Sequence, residues 1–277
     1  MRHVQDWVAR CGDCGLERSA LADAVVNGQA DFGWTKNTFD SLEALRLANA
    51  TRTLDLLARH TELEDLALLD VGCAAGWFLD IARNRGMRTE GIEPYPDAAA
   101  RARAKGHDVR DSTFPLPEIP DASLDAVSFN DVFEHLPDPL AALAEVRRVL
   151  RPGGFLILVM PDSDGTFYRL ARLSALRLGA TGPYERMWQR GYQSPHLFYV
   201  NKANLAMLCG RAGFLPVDER RLPSIALAGL WTRLRTGRSA NLAVSSVMYA
   251  GIAATYPLIR YVLPSDILLQ IHRIEPV

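Results

Sequence analysis

Apolar residues in this chain fall into short runs that alternate between two spacings, and the alternation begins near residue 66. The run LALLDV (66–71) is almost continuously apolar, the pattern of a strand covered on both faces. It leads into a glycine turn and then, over 76–85, into a helix that stops near Gly86. RTEGIE (88–93) predicts a second strand. Pro96 suits a first helical turn and Gly106 a C-terminal stop, so 96–105 reads as helix. HDVRD (107–111) and LDAVSFN (124–130) are the third and fourth strands. Residues 138–150 form an amphipathic helix ending at Arg151-Pro152-Gly153-Gly154, and FLILVM (155–160) is a fifth, fully buried strand.

Strands alternating with helices of this length imply right-handed crossovers and a parallel sheet. The expected fold class is α/β: a doubly wound, Rossmann-like sheet of seven strands, mostly parallel with an antiparallel last strand. Helical additions are expected at both ends. Its ligand belongs at the carboxyl ends of the strands.

The flanks are less regular. Residues 1–40 read as an irregular segment, with Gly12, Gly15, Gly28 and Gly33 scattered through it. Asp40 or Ser41 is placed to cap a helix running to about His60, with Leu42, Leu45, Leu54 and Leu57 at helical spacing. Residues 162–200 hold many aromatics and arginines and no clean strand. A helix over 201–209, closed by Gly210 or Gly213, precedes FLPVDERR (214–221) and DILLQIHRI (266–274), the sixth and seventh strands. The expected division is 1–40, a central domain at 41–220 with a cover segment at 162–200, and a helical lid with a closing strand at 221–277.

One stretch complicates the lid. Residues 239–259 carry no charge and are long enough to span a bilayer. Asn241, several Ser and Thr, and Pro257 argue against a span, as does topology. A strand at 266–274 has to return to the sheet's edge, on the same side of any membrane. The run is therefore expected as a buried helix of the lid, leaving room for peripheral membrane contact there.

Composition adds bounds. The 277 residues, 48% hydrophobic and 23% charged, suit one large soluble domain with appendages. A net charge of −1 recruits no nucleic acid. Four scattered cysteines make no disulfide framework, and the first fifteen residues hold no apolar signal segment, so a cytoplasmic setting is expected. Arg220, Arg221, Arg233, Arg235 and Arg238 read as a solvated face.

The candidate chemistry lies in the turn after the first strand. Asp70 ends that strand, Gly72 permits a sharp turn, and Ala74 and Gly76 let a ligand approach the backbone. The following helix offers free N–H groups and a positive dipole end. Glu93 ends the second strand, where an acid accepts hydrogen bonds from ribose hydroxyls. An adenosine-type ligand follows. A dinucleotide wants three glycines for its pyrophosphate, and Trp77 stands where the third belongs. S-adenosylmethionine has no phosphate to place.

With these motifs, LDVGCAAG, GIEP, LDAVSFNDVFEHLPDPLAALAEVRRVLRPGG and FLILVMP, the chain resembles the class I S-adenosylmethionine-dependent methyltransferases. It is most similar to the branch whose fourth strand runs into an E-H-L-x-D-P turn and whose members often act on sugars, lipids or quinone precursors. SPHLFYV and LCGRAGF resemble that branch's cover segment and its helix before the sixth strand. The resemblance implies S-adenosyl-L-methionine as cofactor. It places Asp70, Gly72, Cys73 and Gly76 at the methionine end, Glu93 on the ribose, and Pro94 and Tyr95 beside the adenine. Asp111 and Ser112 fall at the adenine edge, and Asn130, Asp131 and Glu134 face the methyl donor. It further implies methyl transfer to a small-molecule acceptor, most readily at oxygen, with His135 or His196 as the base. Two other readings are a cofactor-binding scaffold without catalysis and an NAD-dependent oxidoreductase, which lacks its pyrophosphate turn here.

Cys11 and Cys14 form one C-x-x-C, like half of the zinc ribbon found before this domain in related chains. Structural zinc needs four ligands, and Cys73 and Cys209 belong to other elements, so no bound metal is expected. The sequence leaves the acceptor, the methylated atom and the oligomeric state open.

Overall fold

The computed structural model describes residues 2–22, 36–235 and 242–275. Gly28, Gly33, Arg238 and Asn241 lie outside the described residues. The chain begins with three short strands, β1 (Arg2–Gln5), β2 (Val8–Arg10) and β3 (Glu17–Ser19), then a long helix, α1 (Lys36–Leu57). The alternating part follows: β4 (Ala67–Val71), α2 (Trp77–Asn84), β5 (Arg88–Ile92), α3 (Pro96–Ala104), β6 (Asp108–Arg110), β7 (Leu124–Asn130), α4 (Pro139–Val149) and β8 (Leu150–Pro161). Then come α5 (Thr166–Leu178), α6 (Gly182–Met187), β9 (Phe198–Tyr199), α7 (Lys202–Arg211), β10 (Phe214–Leu222), α8 (Leu230–Arg235), α9 (Leu242–Tyr261) and β11 (Ile267–Ile274).

Seven strands form the main sheet in the order β10-β11-β8-β7-β4-β5-β6. β8, β7, β4, β5 and β6 are parallel, and β11 runs antiparallel to both its neighbours. All five residues of β4 and most of β8 are buried, because helices cover both faces. Local chemistry sets the helix starts. Asp138 accepts from the N–H groups of Leu140 and Ala141 at 3.1 and 3.0 Å, with Pro139 opening α4. Asn201 and Asn204 make a reciprocal capping box at α7.

Three expectations need correction. The N-terminal segment is not irregular: β1, β2 and β3 join β9 in a four-stranded antiparallel sheet, with Glu17 opposite Tyr199. These strands hide in the sequence because they mix charged and apolar residues, and tertiary contacts supply their stability. Glu17 is buried and accepts hydrogen bonds from the hydroxyls of Tyr168 and Tyr184, beside a cluster that includes Val8, Trp188 and Tyr199. The pairing also ties residues 17–19 to the cover segment across the expected boundary at 40.

The seventh strand does not take the sheet's edge. β11 lies between β8 and β10, with Leu268, Leu269, Ile271 and Ile274 buried, and β10 is the edge. Finally, the uncharged run is no buried lid helix. α9 is exposed along its length, and Ser245 is its one buried residue among those described. It packs on α8, where Trp231 meets Tyr249 edge-on at 5.7 Å.

Candidate active site

The carboxyl ends of β4, β5 and β7 open into a cavity of about 1400 Å³, closed on other sides by α1, the segment 186–196 and residues 222–233. Ligand pockets usually hold about 300–1,000 Å³, so this one has room for two molecules side by side.

Strand register builds the first wall. Asp70 pairs across the sheet with Ser128, and Asn130 lies two residues farther along the same face. Asp70 is buried and accepts from Ser128 Oγ at 2.7 Å and Asn130 Nδ2 at 2.9 Å. Burial outweighs both bonds and pushes its carboxyl up to about 7. Glu93 follows β5 and is also buried. It accepts from Ala74 N at 2.8 Å and Tyr95 N at 2.9 Å. Burial raises it to about 7. One carboxylate thus fastens the glycine turn to the next loop and keeps lone pairs for a ligand's hydroxyls.

The turn itself has φ of 70° at Gly72, 48° at Ala74 and 77° at Gly76. A Cβ at Gly72 would lie 2.4 Å from Val132 Cγ2, and one at Gly76 2.8 Å from His107 Cδ2. Gly76 therefore serves the packing of α2 and is not among the cavity-lining residues. Cys73 lines the cavity, its thiol set under Gly91, whose absent Cβ would meet Sγ at 2.6 Å. Ala74 is a non-glycine residue in the left-handed region, at a typical cost of about 1–2 kcal/mol. Ala74→Gly is expected to raise the melting temperature by ~2–4 °C in a thermal scan, with cofactor affinity unchanged or improved.

Pro94, Tyr95, Ser112 and the Phe114–Pro115 segment line the far end of the cavity. Asp111 does not join them. It is half exposed and grips Arg103 with both oxygens, at 2.8 and 3.1 Å.

The opposite wall follows β7. Asp131, with φ of 54°, is ion-paired with Arg46 of α1. A short 3₁₀ turn, Phe133–His135, then places Glu134 and His135. Glu134 is fully buried, and neither carboxylate oxygen has a hydrogen-bond partner among the described residues. Burial pushes it to about 8, against the pull of Arg46. His135 Nδ1 lies 2.9 Å from Pro195 O, so Nδ1 carries the proton and Nε2 is the basic nitrogen. His196 is buried 4.9 Å away, ring to ring. Tyr199 Oη donates to Met187 O at 2.7 Å and accepts from His196 Nδ1 at 3.2 Å, while Gln189 Nε2 donates to His196 Nε2 at 2.9 Å. Burial, then the neighbouring His135, holds His196 well below the ordinary histidine range.

Ligating atoms of Glu134, His135 and His196 lie within 4.8 Å of one another, a spacing a cation can bridge. Cys11 and Cys14 sit apart from them on the β2–β3 turn, and Cys73 and Cys209 are buried elsewhere.

Arg46, Arg186 and Gln189, which no sequence pattern singles out, line the cavity, and so does Arg233, which was expected on a solvated face. Their elements meet the strand ends only in the folded chain. The helical pattern around Leu42 and Leu45 was the one available signal for Arg46.

These pKa shifts fix a sign. Asp70, Glu93 and Glu134 have folded values above their unfolded ones, so each loses stabilisation as pH rises toward 7 or 8. His196 and His272 are lowered and act oppositely, but only below about 6.5, the unfolded histidine value. Between pH 6.5 and 8 the carboxyls act alone, so the cofactor-free protein should lose several degrees of melting temperature across that window. A melting temperature that stays flat across the window would show these carboxyls to be ionised in the fold.

Residues 42–219 match the methyltransferase-domain family. The chain is 32% identical over 142 residues to a malonyl-[acyl-carrier protein] O-methyltransferase of Serratia marcescens, covering 49% of this chain and 54% of that one. It is 26% identical over 200 residues to a ubiquinone biosynthesis O-methyltransferase of Cereibacter sphaeroides, covering 69% and 77%. Several curated relatives are matched over about half of their length or less. An S-adenosylmethionine-dependent methyltransferase from Mesorhizobium loti has the same fold, with TM-score 0.55, 17% identity and coverage of 82% and 99%. S-adenosylmethionine, the cofactor of this fold and family, fits the residues present: Glu93 would offer acceptors to ribose hydroxyls, and Asp70 would face the cofactor's charged amino group. The chain belongs to the methyltransferase-domain family, with the fold of the class I S-adenosylmethionine-dependent methyltransferases.

Proposed function

We propose that this chain is an S-adenosylmethionine-dependent methyltransferase whose acceptor is a small molecule methylated at an oxygen. The observation that carries the acceptor chemistry is the wall across from Asp70 and Glu93. There a buried carboxyl, Glu134, lies 3.9 Å from Nε2 of each of two neighbouring imidazoles, each with its Nδ1 proton held by a protein oxygen. Such a wall is of use to an acceptor that must lose a proton.

When bound, the cofactor supplies a methyl group already activated by its sulfonium. The chain then has to align the acceptor oxygen in line with that methyl and exclude water. We assign the acceptor's proton to His135 Nε2, since the His135 side chain is the more exposed of the two imidazoles, 17% against 8%. His196 is then a positioning residue, packed edge to face against His135. Glu134 orients the acceptor or the imidazole. Arg186 and Arg233 line the same cavity, and burial followed by the nearby Arg186 holds Arg233 below its ordinary value. Two guanidiniums held close together favour an acceptor with a negative group near the methylated oxygen. We read residues 41–220 as the catalytic domain, with 162–200 covering the acceptor.

The test is transfer of labelled methyl from S-adenosylmethionine to a panel of hydroxyl-bearing acids and to cell extract. Labelled product whose methyl group mass spectrometry or NMR places on nitrogen or carbon overturns oxygen as the acceptor atom. Cofactor binding with no labelled product from any source favours a scaffold.

A further inference from the structure

Two stretches of this chain carry arginines and no carboxylate. Residues 220–265 hold six arginines, and residues 166–184 hold three, without one Asp or Glu in either. The other residues hold all 32 acids of a chain whose net charge is −1. The same two stretches expose the largest apolar side chains. In α9, Val247 is 73% exposed and Tyr261 80%. In α5, Leu170, Leu173 and Leu176 recur every third residue on an outward ridge, and Leu178 at its end is 78% exposed.

Helix α9 has a mean hydropathy of 1.5 and is barely covered by the protein. A helix apolar all round is normally buried in protein or lipid. Its ends are held on one body. Ser245 Oγ donates to Leu234 O at 3.2 Å near the start. Just past the end, Pro264 O accepts from Thr166 N and Oγ1 at 3.1 and 2.8 Å, and Asp266 caps α5 through Phe167 N and Tyr168 N. A helix tied to the domain at both ends lies along it and does not cross a bilayer. The same bonds bring the start of α5 to the end of α9.

We propose that α9 and the leucine ridge of α5 dock this protein on the surface of an anionic lipid bilayer. The helix lies in the interfacial plane, with Arg169, Arg177, Arg235 and Arg260 at the headgroup phosphates, while Arg233 faces the cavity and Arg221 and Arg172 pair with Asp162 and Glu17. A second copy is the poorer occupant, because a two-fold contact would set one acid-free, arginine-bearing surface against another. The proposal goes beyond methyl transfer and stands whether or not the acceptor is a lipid.

The experiment is co-sedimentation of the full chain with vesicles of phosphatidylcholine, alone or with about a third phosphatidylglycerol. Partitioning onto the anionic vesicles should be at least ~10-fold stronger and should weaken at high salt. Val247→Glu with Leu258→Glu, both on exposed positions, should weaken it by ~10-fold or more, with S-adenosylhomocysteine affinity retained as the control for folding. Arg235→Ala should reduce the preference for anionic vesicles without touching α9. The proposal is overturned by failure to bind anionic vesicles, by equal binding to both vesicle types, or by binding that the double variant leaves intact. A dimer in light scattering that the double variant dissociates would give this surface to a second copy instead.

Discussion

Glu93→Ala is expected to weaken S-adenosylhomocysteine binding by about 100-fold or more, because it removes charge-assisted hydrogen bonds worth ~1.5–3 kcal/mol each. The loss has two sources. The ribose loses its acceptor, and the N–H groups of Ala74 and Tyr95 lose theirs inside a buried site. Titration calorimetry on the variant checks this, and Glu93→Gln, which keeps an acceptor oxygen, should lose less. Unchanged affinity in a folded Glu93→Ala protein would remove the ribose from this position. A proton should accompany binding. Glu93 sits near 7 without ligand, and hydroxyls donating to it favour its ionised form. Calorimetry near neutral pH in buffers of different ionisation enthalpy should therefore show proton release, which Glu93→Gln reduces.

His135→Ala should lower kcat by about 10²–10⁴-fold, the usual worth of a general base, and leave S-adenosylhomocysteine affinity within a few-fold of the parent. His196→Ala should act differently. It empties a buried place beside Tyr199 and frees Gln189, so its loss in kcat should come with a lower melting temperature. The pH profile separates the two roles. In the parent, kcat should rise with pH along a basic limb, and in His196→Asn that limb should persist at reduced height. A persisting limb in His135→Ala would move the base elsewhere, with His196 next in line. If both variants keep full activity, the acceptor loses its proton before or without the help of this wall.

The legible parts of this molecule are those in which local sequence decides the structure. Strands β4, β7 and β8 are apolar enough to be read one by one, and Pro96, Asp138 and Asn201 mark helix starts through their own side chains and rings. The glycine turn and Glu93 could be located because backbone conformation and strand length fix where they fall. His135 and His196 were named from motifs, and the fold brings them to within 4.9 Å. The roles of Arg46 and Gln189 were not legible, since each reaches the cavity from an element whose position depends on packing. Asp111 shows the reverse: it is adjacent in sequence to Ser112, yet Arg103 draws it outward. The run at 239–259 was misjudged because composition reports that a helix is apolar and does not report what surrounds it.

The placement of β11 bears on how the chain reaches its fold. It is the last in sequence of the strands among the described residues, yet two strands flank it in the sheet. Until residues 267–274 arrive, β8 has one unpaired ladder and β10 has no partner strand at all. A ribosome adding about 5–20 residues per second leaves that gap open for several seconds after β10 emerges. During this time an open, apolar strand edge is available to pair with other chains. Assembly of the sheet is therefore completed from its interior, when residues 267–274 enter between β8 and β10.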